Sequence, residues 1–341
     1  MKKPLILLVA AVLTAATLSA CGDEPNVAGD KKIIVYSGRG ESLIKPALEK
    51  FTKATGIQVE ARYGDTAQMA SQLIEEGGRT KADVFISQDA GGLGAVAKKG
   101  LLAALPADTL AKAPKEFQSR AGQWVGVTGR ARTFVYNPDL VPVADLPKSV
   151  FDVTQPQWRG KVAIAPTNGS FQAFVTSLRV GQGEAKAEEF LNGLKANGVQ
   201  IRSNNIQIVQ EVADGKLPAG LVNHYYLHEI AKEKGIAPET MKAKLHFFTP
   251  GDPGNLVNVS GAAITMNSAN DADSKALVDF LLGAEAQTYF ANEVGEYPLS
   301  ASVPAAAGLP TFAGIKPPAI DLNDLDSLEQ TVALIKKVGL A

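Results

Sequence analysis

The sequence predicts an α/β protein, because short strand-like runs alternate along the chain with segments of helical period. Residues 32–36 are rich in β-branched side chains and end at a glycine loop, and apolar residues then recur between Leu43 and Phe51 at helical spacing. Residues 58–63 alternate like a strand, a helical segment follows, and residues 82–86 form a third strand-like run. Strands that alternate with helices predict a parallel sheet with helices on both faces.

The same alternation continues in a second unit. Residues 245–255 are extended and rich in turn-forming residues, and residues 261–265 are again strand-like. We interpret this late stretch as a return of the chain to the first unit, which predicts two lobes. The strand-like and helical runs of the second unit lie at residues 126–137, 161–165, 171–180, 198–202, 205–213 and 219–222.

Residues 1–20 have the layout of a secretory signal peptide. An apolar run from Pro4 to Leu13 follows two lysines, and small residues then lead to Cys21. The apolar run is too short for a membrane-spanning helix, which needs about 20 such residues. The pattern before Cys21 resembles the bacterial lipobox, and this resemblance implies cleavage before Cys21 and lipid attachment to its thiol, which anchors the protein to a membrane.

The composition limits the kinds of partner that the protein can have. Residues 21–31 show no periodicity, which predicts a flexible tether before the globular body. Cys21 is the single cysteine of the 341-residue sequence, so no disulfide can form within the chain. The 34 lysines and arginines balance 35 acidic residues, so there is no basic field to hold nucleic acid. Without its leader, the chain is long enough for two domains.

Several stretches, taken in order, resemble the ferric iron-binding proteins of bacterial iron importers, within the class of periplasmic binding proteins. They extend over nearly the whole chain after the leader, and their order together with a pair of tyrosines makes the resemblance specific. The stretches are residues 35–39, 49–59, 64–77, 82–85, 100–103, 129–132, 158–161, 221–226, 252–254 and 296–299.

The resemblance implies a two-lobed periplasmic binding protein fold of type II, whose hinge-connected lobes close over a ligand in a central cleft. Lobe 1 would comprise residues 32–128 plus 255–305, lobe 2 residues 129–254, and the C-terminal helical segment 306–341 would pack on lobe 1. The resemblance also implies a monomer outside the cytoplasm, in the periplasm or on the outer face of the cell membrane, that delivers its ligand to the permease of an ABC transporter.

Tyr225 and Tyr226 are the predicted metal ligands. They follow the strand-like residues 221–222 and precede a helical-looking run, so both phenols can turn into a cleft at a strand-to-helix junction. Ferric iron is a hard trivalent cation that prefers anionic oxygen, and phenolate supplies it. From composition alone, an ordinary pair of packed tyrosines with their hydroxyls in water is the more frequent meaning of such a pattern. The resemblance identifies the pair as iron ligands.

The sequence departs from the best-known six-coordinate site of this family. That site has a histidine in the first loop and a glutamate after the third strand, where this chain has Gly40 and Gln88. Glu41 and Asp89 are the next residues along and are secondary candidates for the metal. Tyr36 is a third secondary candidate, although its position in a strand is typical of core packing.

With fewer protein ligands, the resemblance implies a synergistic anion, carbonate or phosphate, beside the metal. Residues 167–170 open the helix that begins near Phe171, and backbone N–H groups at a helix start bind anions. Arginine is suited to oxyanions, although a surface ion pair is the ordinary role of such a side chain. The predicted anion-binding residues are Asn168, Gly169, Ser170, Asn205, Asn223, Arg130 and Arg132.

Other functions remain open at this stage. A binding protein of the same fold for an organic ligand, such as thiamine, a polyamine or an oxyanion, is the main alternative, because fold does not settle the ligand. His224 and His228 share a helical face and could hold zinc, but they lack the intervening glutamate of a zinc hydrolase. The sequence has no nucleophile motif and no phosphate loop, so we do not expect an enzyme.

Overall fold

The computed structural model describes residues 32–300, 302–306 and 309–341. The predicted signal peptide, the tether and Cys21 lie outside the described residues. Within those residues, no helix combines the length and the apolar character that crossing a membrane requires.

The strands occupy the regions that the alternation predicts. In chain order, the strands of the described residues are β1 (Lys32–Ser37), β2 (Gln58–Tyr63), β3 (Val84–Ser87), β4 (Val125–Tyr136), β5 (Val162–Ile164), β6 (Gln200–Ile201), β7 (Ala219–Asn223), β8 (Lys244–His246), β9 (Val257–Ile264) and β10 (Tyr297–Pro298).

The helices follow the strands and cover them. A π-helical turn, Phe290–Val294, continues the tenth helix. In chain order, the α-helices of the described residues are α1 (Glu41–Thr55), α2 (Thr66–Glu76), α3 (Ala90–Lys98), α4 (Ala107–Leu110), α5 (Gly169–Gln182), α6 (Glu184–Ala196), α7 (Asn205–Ala213), α8 (Tyr225–Glu233), α9 (Ala272–Leu281), α10 (Ala284–Tyr289), α11 (Phe312–Ile315) and α12 (Leu328–Val338).

Helix α1 shows how the sequence determines an element. Its apolar residues, which recur every three or four positions, form one buried stripe that packs on the sheet. The helix ends where Gly56 takes a left-handed conformation with φ of 77° and donates its N–H to Thr52 O at 2.8 Å. The buried stripe consists of Leu43, Ile44, Ala47, Leu48 and Phe51.

The strands form one mixed sheet in the order β2-β1-β3-β9-β4-β7-β5-β6, and β8 and β10 both pair with β4. β1 runs parallel to β2 and β3, and β5 runs parallel to β6 and β7. The prediction of a parallel sheet is wrong in the centre, where β9 is antiparallel to β3 and β4, and β4 is antiparallel to β7. The reason is that β4 and β9 carry the chain between the two halves in opposite directions.

Strand β4 belongs to both halves of the sheet. Its residues from Val125 to Ala131 pair with β9, and those from Arg132 to Tyr136 pair with β7. The change of partner therefore falls between Ala131 and Arg132, close to the predicted lobe boundary at residue 129. The exact division of the chain into lobes stays a prediction.

The C-terminal segment, predicted to pack on lobe 1, contacts residues of both predicted lobes. Leu322 and Leu325 join the core cluster of α3 on the lobe 1 side. Helix α12, however, buries Leu334, Ile335 and Val338 among the phenylalanines and leucines of α5 and α6, which belong to predicted lobe 2. The segment therefore packs on both predicted lobes, because the apolar stripe of α12 fits the outer faces of α5 and α6.

Candidate metal centre

The two tyrosines of the predicted site lie side by side at the start of a helix. β7 ends at Asn223 and α8 begins at Tyr225, as the strand-to-helix junction predicts. The rings of Tyr225 and Tyr226 are 4.2 Å apart between centroids, and their exposed fractions are 0% and 5%. Among the described residues, the buried Tyr225 Oη has no hydrogen-bond partner. A buried polar atom without a partner is costly, so this hydroxyl is suited to a ligand.

Burial governs the chemistry of Tyr225. The loss of solvent is the largest cause that raises the pKa of Tyr225 well above its ordinary value of 10, and the neighbouring phenol of Tyr226 is the second largest. The charge of Arg130, whose guanidinium carbon lies 5.6 Å from the centre of the Tyr225 ring, acts in the opposite direction. Deprotonation of this phenol at neutral pH therefore requires a cation bound directly to its oxygen.

The two predicted arginines project from β4 into the same region. Arg130 is fully buried, and its Nε and Nη1 have no hydrogen-bond partner within the described chain. Arg132 donates from Nη1 to Ser170 Oγ at 3.3 Å and from Nη2 to Leu221 O at 2.8 Å. Burial lowers the pKa of Arg132 to about 9, against the opposing effect of the two phenols, so the side chain keeps its charge at neutral pH.

The predicted anion-binding residues meet at the start of α5. Asn168 caps this helix by accepting the Ser170 N–H at 3.0 Å, and the Ser170 hydroxyl also donates to Asn168 Oδ1 at 2.7 Å. Asn205, the first residue of α7, donates from Nδ2 to Asn168 Oδ1 at 3.1 Å and to Ser170 Oγ at 3.2 Å. Gly169 is the first residue of α5, and Asn223 lies opposite Arg132 in the register of β7 and β4.

Asp89 faces this helix start from the other half of the molecule. It caps α3, and its Oδ1 accepts the Gly92 N–H at 2.8 Å. Its Oδ2 is buried without a partner among the described residues and lies 3.1 Å from the position that a Cβ would take at Gly169. Burial raises the pKa of this carboxyl, while the Gly92 N–H and the charge of Arg130 limit the rise. Asp89 is therefore close to the anion-binding candidates and to Arg130.

The other secondary candidates are engaged elsewhere. Glu41 is on the exposed side of α1, where its carboxylate pairs with Lys45 Nζ at 2.8 Å. The Tyr36 hydroxyl is part of a separate network, in which it donates to Glu76 at 3.1 Å and accepts from Arg62 Nη1 at 3.1 Å. The structure does not bring either residue to the tyrosine pair, since Glu41 faces solvent and the Tyr36 hydroxyl faces α2.

Two charged residues near the pair were not predicted from the sequence. Glu296 Oε2 accepts from Arg39 Nη2 at 2.7 Å and from Thr128 Oγ1 at 2.7 Å. Its Oε1 lies 4.0 Å from Arg130 Nε. Arg39 and Glu296 both belong to stretches that carry the family resemblance, and that was the one signal in the sequence that could have pointed to them.

The histidines do not form the alternative zinc site. Ala131 N–H donates to His224 Nδ1 at 3.1 Å, and His224 Nε2 lies 2.9 Å from Gly295 O, so backbone groups engage both ring nitrogens. His224 is fully buried between these two groups and cannot present a nitrogen to a metal shared with His228. No group of three or more His, Cys, Asp or Glu side chains in the described ranges is arranged to hold a metal ion.

Comparisons with known proteins agree with this architecture. The family model described as bacterial extracellular solute-binding protein matches residues 79–327. The chain is 34% identical over 335 residues to the major ferric iron-binding protein of Neisseria meningitidis, covering 98% of this chain and 97% of that relative. It is 30% identical over 331 residues to the Fe(3+)-binding periplasmic protein of Serratia marcescens, covering 97% and 96%.

A solved structure extends the likeness to three dimensions. The crystal structure of iron-bound HitA from Pseudomonas aeruginosa superimposes with a TM-score of 0.85 at 36% identity, over 90% of this chain and 99% of that one. The predicted two-lobed type II periplasmic binding protein fold is thereby confirmed, as is the resemblance to ferric iron-binding proteins. The chain belongs to the family of bacterial extracellular solute-binding proteins.

Proposed function

We propose that this protein is an extracytoplasmic substrate-binding protein that captures ferric iron between its lobes through Tyr225 and Tyr226 and delivers it to an ABC importer. The observation that carries the proposal is the buried pair of adjacent phenols, with a Tyr225 hydroxyl that has no hydrogen-bond partner in the described chain. The relatives named for ferric iron support the choice of metal.

The chemistry of the pair suits a hard trivalent cation. Phenolate oxygen is a strong donor for ferric iron, and two adjacent phenolates neutralise two of its three positive charges. Burial raises the pKa of Tyr225 far above neutral, so the phenol stays protonated until the cation displaces the proton. Iron binding therefore releases protons, and acid weakens it. The positive end of α8, which begins at Tyr225, further favours the anionic oxygens.

A synergistic anion, carbonate or phosphate, completes the proposed site. The start of α5 offers backbone N–H groups and the Asn168–Ser170 turn, and Asn205 reaches the same turn from α7. Buried guanidinium groups stabilise an oxyanion by charge-assisted hydrogen bonds. The residues proposed to bind the anion are Asn168, Gly169, Ser170, Asn205, Asn223, Arg130 and Arg132.

Asp89 is proposed either as a further oxygen ligand of the metal or, with its carboxyl group protonated, as a hydrogen-bond donor to the anion. Its Oδ2 is buried, lacks a partner in the described part of the chain and faces the start of α5. Glu41 and Tyr36 are not retained in the proposed site, because their oxygens contact Lys45, and Glu76 with Arg62, respectively.

The proposed role is binding and transport, without catalysis of a reaction. Closure of two lobes presents a distinct surface to a permease, which suits a monomeric receptor that hands over its cargo. The proposed lipid on Cys21 would hold the receptor at the membrane, on the periplasmic side or on the outer face of the cell. The alternative of an organic ligand in the same cleft is kept as an outcome of the test.

The test is an optical titration. Ferric iron, added as a weak chelate in bicarbonate buffer, is expected to turn the colourless protein orange to red, because phenolate-to-iron charge transfer absorbs visible light. The Tyr225→Phe, Tyr226→Phe double variant is expected to stay colourless with an unchanged circular dichroism spectrum. Tyr63→Phe is the matched control, since Tyr63 packs at the edge of the α1 core, and it is expected to colour like the wild type.

One outcome would overturn the proposal. A wild-type protein that stays colourless with iron in both carbonate and phosphate, and that binds an organic ligand by calorimetry, would move the function to the alternative.

A further inference from the structure

Glu296 is a buried carboxylate in the interior of the molecule, behind the tyrosine pair. Its exposed fraction is 0%, and it lies between the π-helical turn and β10. Oε2 accepts from Arg39 and from Thr128, both at 2.7 Å, whereas Oε1 has no hydrogen-bond partner in the described ranges. Removing such a charge from water is expensive, so its retention in the interior calls for a reason beyond packing.

Arg130 connects this carboxylate to the site. Its Nε is 4.0 Å from Glu296 Oε1, and its guanidinium carbon is 5.6 Å from the centre of the Tyr225 ring. The side chain is 1% exposed, so solvent does little to screen its charge. Arg130 therefore lies between a carboxylate on one side and the ring of a proposed metal ligand on the other.

A second contact joins the segment that carries Glu296 to the helix that carries the tyrosines. His224, which precedes Tyr225, has Nε2 at 2.9 Å from the carbonyl oxygen of Gly295, which precedes Glu296. A Cβ on Gly295 would lie 2.8 Å from the His228 side chain, so only glycine allows this close approach to α8. The turn that carries Glu296 is thus held directly against the helix that carries the tyrosines.

Glu296 neutralises Arg130 only in part. Arg39 Nη2 forms the close ion pair with Glu296 Oε2, at 2.7 Å, whereas Arg130 Nε lies 4.0 Å from Oε1. A positive charge at short range in a buried region stabilises an anion formed there by far more than it would in water.

We propose that Arg130, besides its proposed contact with the anion, stabilises the phenolate of Tyr225 from the face of the tyrosine ring, and that Glu296 is a positioning residue that holds Arg130 in place and moderates its charge. The inference rests on the proposed function, since it requires Tyr225 to become a phenolate. It adds to that function a group, Glu296, that contacts neither the metal nor the anion.

The test uses the colour of the iron-loaded protein. The charge-transfer band moves an electron from phenolate to iron, so a cation beside the ring lowers the energy of the donor electrons and shortens the wavelength. Arg130→Gln is expected to move the band to longer wavelength and to weaken iron binding roughly tenfold to a hundredfold, the loss expected for a contact with a charged group. Glu296→Gln is expected to move the band to shorter wavelength.

Opposite shifts distinguish this role from general damage to the site. Arg130→Lys keeps the charge and is expected to restore the wavelength most of the way to that of the wild type. The double Gln variant removes one charge of each sign and is expected to fall between the two single variants. Arg120→Gln and Glu60→Gln make the same charge changes at exposed positions and are the matched controls.

Several results would overturn the inference. Shifts of the same sign in both single variants, or shifts no larger than those of the surface controls, would remove it. An Arg130→Gln protein whose band does not move, and in which only the dependence of iron affinity on carbonate or phosphate changes, would also overturn it, because Arg130 would then act on the anion only. Arg130→Gln and Arg130→Lys carry the test if thermal unfolding shows that Glu296→Gln does not fold. A wild type without the band contradicts the proposed function instead.

Discussion

The guanidinium of Arg179, on α5, donates from Nη1 to Thr331 Oγ1 of α12 at 2.8 Å. The same nitrogen reaches Ser327 O at 3.0 Å, while the other nitrogens pair with Glu184. The hydroxyls of Thr176 and Thr331 add a contact of 2.6 Å between the two helices. The helix whose first turn holds the proposed anion site is therefore attached to the C-terminal segment about two to three turns further along, at Thr176 and Arg179.

Arg179→Met is expected to lower the free energy of unfolding by about 2–3 kcal/mol, because the variant loses the buried hydrogen bonds of the guanidinium to Thr331, Ser327 and Glu184. Urea denaturation measures the loss, and faster amide hydrogen exchange in α12 locates it. Lys186→Met is the matched control on the neighbouring helix, where Lys186 pairs with Glu189 in solvent, and it is expected to change stability little. Equal effects of the two variants would contradict the anchoring role.

Gly91→Ala is expected to destabilise the protein by about 1–3 kcal/mol, since overpacking forces the backbone to move. A Cβ at Gly91 would lie 2.5 Å from the carbonyl oxygen of Leu325, so the C-terminal segment would have to shift away from α3. Gly78→Ala is the matched control, because no atom lies within 4 Å of its Cβ position. The comparison is made by thermal unfolding, and a Gly91 variant as stable as the Gly78 variant would refute the close approach.

His224 is expected to make the metal-free protein sensitive to acid. Burial lowers the pKa of His224 from 6.5 to about 4, although the charge of Glu296 acts against this change. Between these two pH values the unfolded chain binds a proton that the folded protein does not, so stability is full above pH 6.5 and falls by about 3 kcal/mol as the pH approaches 4. Urea denaturation at a series of pH values measures the slope.

His224→Gln removes this titration and is expected to flatten that part of the profile, whereas His246→Gln leaves His224 in place and is expected to keep it. A wild-type profile no steeper than that of the His224 variant between pH 6.5 and 4 would show that another group governs the acid response.

Asn205→Asp is expected to weaken iron binding in carbonate or phosphate by roughly tenfold or more, because an added negative charge repels the anion at the start of α5. Asn204→Asp is the matched control one residue earlier. Asn204 is exposed and caps α7 by accepting the Gln207 N–H at 2.9 Å, and aspartate caps a helix equally well. Optical titration in the two buffers gives the affinities. Equal affinities for the two variants would place the anion elsewhere.

Local patterns in the sequence predicted individual elements better than their arrangement. The predicted strand at residues 58–63 and the predicted helix at 205–213 coincide with β2 and α7, because alternation and helical spacing are properties of a few neighbouring residues. Strand direction depends on partners far away in the sequence. The pairing of β4 with β9, which makes the centre of the sheet antiparallel, cannot be inferred from the residues of either strand alone.

The same difference between local and distant information separates the site residues. The place of Tyr225 and Tyr226 at a strand-to-helix junction could be predicted from neighbouring residues, whereas their role as ligands came from the family resemblance and stays a prediction. Arg39 and Glu296 are 257 positions apart in the sequence. Neither segment alone shows that Arg39 Nη2 will lie 2.7 Å from Glu296 Oε2. The packing of α12 on α5 was missed for the same reason, because an amphipathic helix reveals that it has a partner but not which one.

The continuity of β4 has a consequence for attempts to divide the molecule. Since one uninterrupted run of backbone supplies hydrogen bonds to β9 and β10 on one stretch and to β7 and β8 on the next, a cut at the predicted boundary would sever a strand and not a loop. Residues 129–131 would lose their pairing with residues 257–259 of β9, and the amide and carbonyl groups left unpaired on both fragments promote self-association. Isolated halves should therefore self-associate when expressed separately and regain their partner when produced together.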